Sequence, residues 1–127
     1  MEPEEKRLYP RLTLRNDDGY FGQFIMPDTQ SISALIVNLS AGGINIAFPA
    51  TAKDKIKEGD VLLLREIVGG ARLAFLADIK SQIRWIKNLE MPDNLSVGCR
   101  FLEMPDPVRE QVIAFVDTER RTRGQYV

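Results

Sequence analysis

The side chains able to do chemistry fall in two groups far apart in the chain. Near the start, Lys6, Arg7 and Arg11 form a basic cluster, and Arg15 follows after Leu12-Thr13-Leu14. An arginine guanidinium grips a phosphate through two parallel hydrogen bonds and also stacks on a flat base, so the cluster can act as an anion clamp. A solvated terminus with Glu4 and Glu5 as loose partners is the simpler account. The second group is a polar corner, Asn38 to Gly43, lying between the apolar run Ala34 to Val37 and an alternating run with Ile44, Ile46 and Phe48 on one face. Asn38 offers an amide and Ser40 a hydroxyl. Gly43 lets the backbone turn with positive φ or lie close against something else. Here too there is a plainer reading, a hairpin corner in which Asn and Ser satisfy their own backbone.

What the chain lacks narrows the chemistry further. It has no histidine, which removes the commonest general base and the commonest metal ligand. Its one cysteine, Cys99, can form neither an internal disulfide nor a thiolate zinc site, and reads as a small buried hydrophobe. Gly69-Gly70 lies between apolar runs as a turn would, with no phosphate-loop Lys-Ser/Thr behind it. A binding module is expected rather than an enzyme, with no metal and no cofactor. The formal net charge of −1 argues against general binding to DNA, RNA or a membrane surface. No apolar run reaches the roughly 18 to 20 residues that span a bilayer. Met1 is followed by Glu2, Glu4 and Glu5 instead of a basic and then apolar leader, so a cytoplasmic protein is expected.

Short elements must position these groups. Strands are predicted at Tyr20 to Met26, Ser31 to Leu39, from the corner to Phe48, Val61 to Val68 and Leu95 to Leu102, each bounded by Gly, Pro, Asn or Asp. Leu73, Phe75, Ala77, Ile79, Ser81, Ile83 and Trp85 alternate with mostly polar residues. That pattern predicts one long strand, or two in line, with these residues on its inner face. Asp106 as N-cap and Pro107 at the first helical position open a helix, and Val108, Val112, Ile113 and Val116 form its apolar stripe. The fold class is therefore mainly β: a small six-stranded antiparallel barrel with a C-terminal α-helix, in one domain. Its parts are a flexible basic arm over residues 1–12, the barrel over 13–104, the helix over 105–121 and a tail over 122–127.

The chain resembles the PilZ domain family, bacterial receptor modules for cyclic di-GMP. Arg7-Leu8-Tyr9-Pro10-Arg11 matches the family's Arg-x-x-x-Arg motif. Asn38-Leu39-Ser40-Ala41-Gly42-Gly43 matches its Asp/Asn-x-Ser-x-x-Gly corner, and Val97-Gly98-Cys99-Arg100-Phe101 looks like its closing strand. The resemblance implies a non-catalytic receptor that binds the second messenger and relays it to an unidentified downstream protein, in control of motility, biofilm or exopolysaccharide, as a monomer or homodimer. It also implies that Arg7, Arg11, Asn38, Ser40 and Gly43 contact the ligand. Lys6, in the position before the first motif, adds a cation. Trp85 either caps a guanine or packs inward on the face of Ile79 and Ile83, and Arg100 either lies near the ligand or faces solvent, the second being the simpler account. The rival reading is a PilZ-like adaptor that meets a protein partner without binding nucleotide.

Overall fold

The computed structural model describes residues 9–89 and 94–125, with only the backbone described at Ala71. Among these residues, seven strands form one antiparallel sheet: β1 (Leu12–Thr13), β2 (Phe21–Ile25), β3 (Ser31–Leu39), β4 (Gly43–Pro49), β5 (Val61–Val68), β6 (Ile79–Leu89) and β7 (Asn94–Leu102). Around the sheet the order is β3-β2-β5-β6-β7-β4, and β4 pairs back onto β3, so six strands close into the expected barrel. Closure leaves no long unpaired edge. The two residues of β1 sit against the end of β3, with Leu12 opposite Leu39 and Thr13 opposite Asn38. Leu12, which the sequence places at the end of the arm, is fully buried.

The barrel interior is filled by the alternate residues of each strand. Phe24 of β2 meets Phe48 of β4 edge to face, with centroids 5.9 Å apart, and Ile36, Ile46, Leu62, Leu64, Ile83 and Val97 surround them. Burying a side chain of this size stabilises the fold by about 1.5–3 kcal/mol, which makes this alternation the main determinant of which way each strand faces. Three register shifts interrupt it: one in β3 between Ile36 and Asn38, one in β6 between Ile83 and Trp85, and one where β2 meets β5, with Gln23 opposite Glu66 but Phe24 opposite Leu64. An inserted residue at such a bulge reverses which later side chains point inward.

Two segments depart from the pattern read in the sequence. Residues 73–77 are not strand. Ala71–Leu73 is a 3-10 turn, Leu73 N donates to Gly70 O at 3.0 Å, and Leu76 N donates to Leu73 O at 3.0 Å. Leu73 and Leu76 are both buried at this spacing of three, so the apparent period of two up to Ala77 was accidental. Asp78, with φ at 57°, breaks the backbone just before β6 begins.

The helix α1 (Asp106–Thr122) has Pro105 at its N-cap, where the sequence reading places Asp106. Its buried side chains are Val112, Phe115, Val116 and Glu119, whereas Ile113 is exposed. The C-terminal end of α1 is tied to the barrel by a chain of charges. Arg72 bonds Glu119 at 2.7 Å, Glu119 bonds Arg123 at 3.1 Å, and Arg123 bonds Asp18 at 2.8 Å. The hydrogen bond from Arg72, helped by Arg123, holds the Glu119 carboxyl below its ordinary range, and Arg123 with the Arg15 N–H does the same for Asp18. Gln125 closes the junction by two hydrogen bonds to the backbone of Thr13, at 2.8 and 2.9 Å. No helix among the described residues is long and apolar enough to cross a membrane.

Candidate functional site

The polar corner is built by Ser40. Its Oγ accepts hydrogen bonds from the backbone N–H of Gly42 at 3.1 Å and of Gly43 at 3.2 Å, while Ser40 N donates to Gly43 O at 2.9 Å. The hydroxyl is buried and both its lone pairs are engaged, so only its proton remains to give. Gly43 is required for a reason other than positive φ: a Cβ there would overlap the carbonyl oxygen of Cys99 on β7, its neighbour in the sheet. What approaches Gly43 is the barrel's own backbone.

The bulge in β3 fixes the direction of Asn38. Ile36 and Leu39 both point inward, so the intervening bulge turns Asn38 outward, opposite Asn45 of β4. The displaced Val37 carbonyl is taken by the N–H of Leu14 at 2.8 Å. The bulge in β6 does the same for Trp85. Ile83 is inward and Ile86 packs on the core, which leaves Trp85 half-buried on the outer surface. Of the two readings of Trp85, the inward one fails because this bulge breaks the alternation that supported it. The indole lies instead across Gly98, where a Cβ would overlap its five-membered ring. Lys87 Nζ stands 5.3 Å from the ring centroid in a cation–π contact.

These groups meet at one open cavity of about 450 Å³ on the outer face of β3, β4, β7 and β6. Arg11, Asn38, Ser40, Gly43 and Trp85 all line it; Lys6 and Arg7 lie outside the described residues. The structure thus brings five of the seven sequence candidates to one place. It also adds Tyr9, Asn45, Arg84 and Arg100 to the lining. Of the two readings of Arg100, solvent-facing or near the site, both hold in part: its exposed side chain stands at the cavity wall, with Nε donating to Gln82 Oε1 at 3.1 Å. Outward parity was readable for Arg84 in the sequence. That β6 and β7 share a face with the corner was not, because it depends on barrel closure. Tyr9 lies between the two arginines of the first motif, and its ring rests against Gly42, 3.2 Å from where a Cβ would stand. Cys99 is buried, and loss of water pushes its thiol up to about 12, leaving it protonated and inert.

None of the lining residues is acidic, and three are arginines. Such a surface favours an anion, while the amides and the indole offer hydrogen bonds and a stacking plane for a flat heterocycle. No group of three or more Cys, Asp or Glu that could hold a metal ion occurs among the described residues. A closed antiparallel barrel with a basic outer cavity at a strand corner is the architecture of a ligand-binding module.

The PilZ domain profile matches residues 5–118, so the chain belongs to the PilZ domain family. Among solved structures it is similar to the PilZ domain with c-di-GMP of YcgR from Escherichia coli, at 20% identity and a TM-score of 0.70, covering 96% of this chain and 99% of that one. It is similar to the K. pneumonia MrkH–c-di-GMP complex at 12% identity and a TM-score of 0.72, covering 95% of this chain and 56% of that one. The Bacillus subtilis inhibitor of motility, MotI/DgrA, matches at 18% identity and a TM-score of 0.66, covering 100% of this chain and 59% of that one. The chain therefore spans the whole of an isolated PilZ domain and somewhat over half of these two longer proteins. No curated protein matches it.

Proposed function

We propose that this chain is a cytoplasmic, non-catalytic receptor for cyclic di-GMP. The observation that carries the reading is the convergence of Arg11, Asn38, Ser40 and Trp85 on a cavity lined by arginines and free of acidic side chains. Cyclic di-GMP presents two phosphates and two guanines on a closed ring, so its receptor must neutralise anions and read purine edges. Arg11, together with Arg7 and Lys6 from the segment that leads into Tyr9, bonds phosphate or the guanine O6/N7 edge. Asn38 hydrogen-bonds a guanine edge, and Ser40 gives its proton while holding the corner in shape. Gly43 acts by letting β4 lie against β7. Trp85 supplies the plane on which a base stacks, displacing the exposed Lys87 amine. Binding orders the basic arm over the ligand, and a partner protein reads that change in control of motility, biofilm or exopolysaccharide.

Titration calorimetry with cyclic di-GMP tests this reading. Saturable binding that weakens about tenfold or more in Arg11→Ala and Asn38→Ala, at least about 1.4 kcal/mol, is the expected result. Absence of heat at protein concentrations of tens of micromolar overturns it, in favour of an adaptor that works without nucleotide.

A further inference from the structure

We infer that Arg84 and Arg100 form the stationary half of a two-sided anion clamp, holding the ligand phosphate that the Arg11 side leaves unheld. The inference rests on the cyclic di-GMP reading above and adds residues to it. Strand order places the two halves apart. Arg11 enters from the lead to β1, whose Thr13 faces Asn38 of β3, while Arg84 and Arg100 stand on β6 and β7 with β4 in between. A cyclic dinucleotide seated between these walls presents one phosphate to each.

Three features suit Arg84 and Arg100 to this work. Arg84 is the inserted residue of the β6 bulge, since Ile83 faces Cys99 and Trp85 faces Gly98 with Arg84 unmatched between them. Bulges of this kind aim a side chain away from the regular ladder. Arg100 is held before any ligand arrives: Gln82 is its cross-strand partner and accepts its Nε at 3.1 Å, which leaves the terminal nitrogens of the guanidinium for an anion. Holding a side chain in its bound orientation lowers the entropy lost on binding. Finally, Arg15, Arg65, Arg72, Arg109, Arg121 and Arg123 are all ion-paired, whereas among the described residues neither Arg84 nor Arg100 has a carboxylate partner. Their charge is available to the cavity.

The test is calorimetry of the full chain with cyclic di-GMP at two salt concentrations, using wild type, Arg84→Gln, Arg100→Gln and Gln82→Leu. Each arginine variant is expected to bind about threefold more weakly or worse, with a shallower salt dependence because one charge is gone. Gln82→Leu is expected to weaken binding by about twofold with the salt dependence kept, since the charge stays and only its tether is lost. Binding by either arginine variant with less than about a threefold loss overturns the inference and leaves the cyclic di-GMP reading standing. A wild-type chain that does not bind overturns both. Both arginines are exposed, so thermal melting of each variant should match wild type.

Discussion

The Trp85 indole lies across Gly98, where the sheet has no side chain to hold it off. The two residues face each other across β6 and β7 directly after the bulge at Arg84. An aromatic plane is thereby fixed against the barrel wall at the cavity, which a freely rotating surface tryptophan would not provide.

Gly98→Ala should therefore lift the indole from the wall. A methyl group there overlaps the ring, and overpacking of this kind costs about 1–3 kcal/mol. Trp85 is the one tryptophan of the chain, so its emission reports the change directly. The expected outcome is a red-shifted emission maximum, a lower melting temperature and weaker nucleotide binding. An unchanged spectrum would show that the ring does not rest on Gly98.

Ser40→Ala should destabilise the chain even without nucleotide. It removes the acceptor of the Gly42 and Gly43 N–H groups at a buried corner. A cost of about 1–2 kcal/mol in urea unfolding is expected. Any loss of ligand binding in this variant has to be measured against that cost, which is why Asn38, whose side chain makes no hydrogen bond among the described residues, is the better probe.

Asn38→Asp should tighten binding. A carboxylate accepts from the two adjacent guanine N–H groups at once, and charge-assisted bonds are about twice as strong as neutral ones. An increase in affinity of about three- to tenfold is expected by calorimetry. Equal or weaker binding would mean that Asn38 does not meet the guanine N1–N2 edge.

Acid should loosen the junction of α1 with the barrel. Asp18 and Glu119 both have folded-state pKa values lowered, by hydrogen bonds from Arg123 and Arg72 respectively. A lowered carboxyl contributes stability that is present above its unfolded pKa, about 3.9 for Asp and 4.3 for Glu, and that is lost as pH falls through the folded value. Arg123→Met removes a partner of both. The stability gap between wild type and this variant should be full at pH 7 and shrink as pH drops below about 4. A gap independent of pH would mean that packing of the Arg123 stem, and not its charge, does the holding.

Most of the barrel was legible in the sequence because period-two burial has so few solutions once turns bound the strands. The corner was legible as well, since Asn38, Ser40 and Gly43 are neighbours in the chain. What the sequence hid was parity. A bulge leaves no residue signature, so the sequence alone could not decide whether Trp85 continues the inner face of Ile79 and Ile83; the register of β6 on β7 turns it outward. The same limit applied to residues 73–77, where Leu73, Phe75 and Ala77 alternate in the sequence although the turns bury Leu73 and Leu76. On α1, Phe115 and not Ile113 belongs to the buried stripe, a tertiary fact with no local signal. Arg84 and Arg100 joined the cavity for a similar reason, since only closure of β4 on β7 sets them beside the corner.

The most direct test of the account is a titration of the intact chain with cyclic di-GMP followed by Trp85 emission. The account predicts a saturable change in emission that is lost at the same nucleotide concentrations in Arg11→Ala. Emission that stays flat in the wild-type chain through a large excess of nucleotide, with no heat of binding, would contradict it.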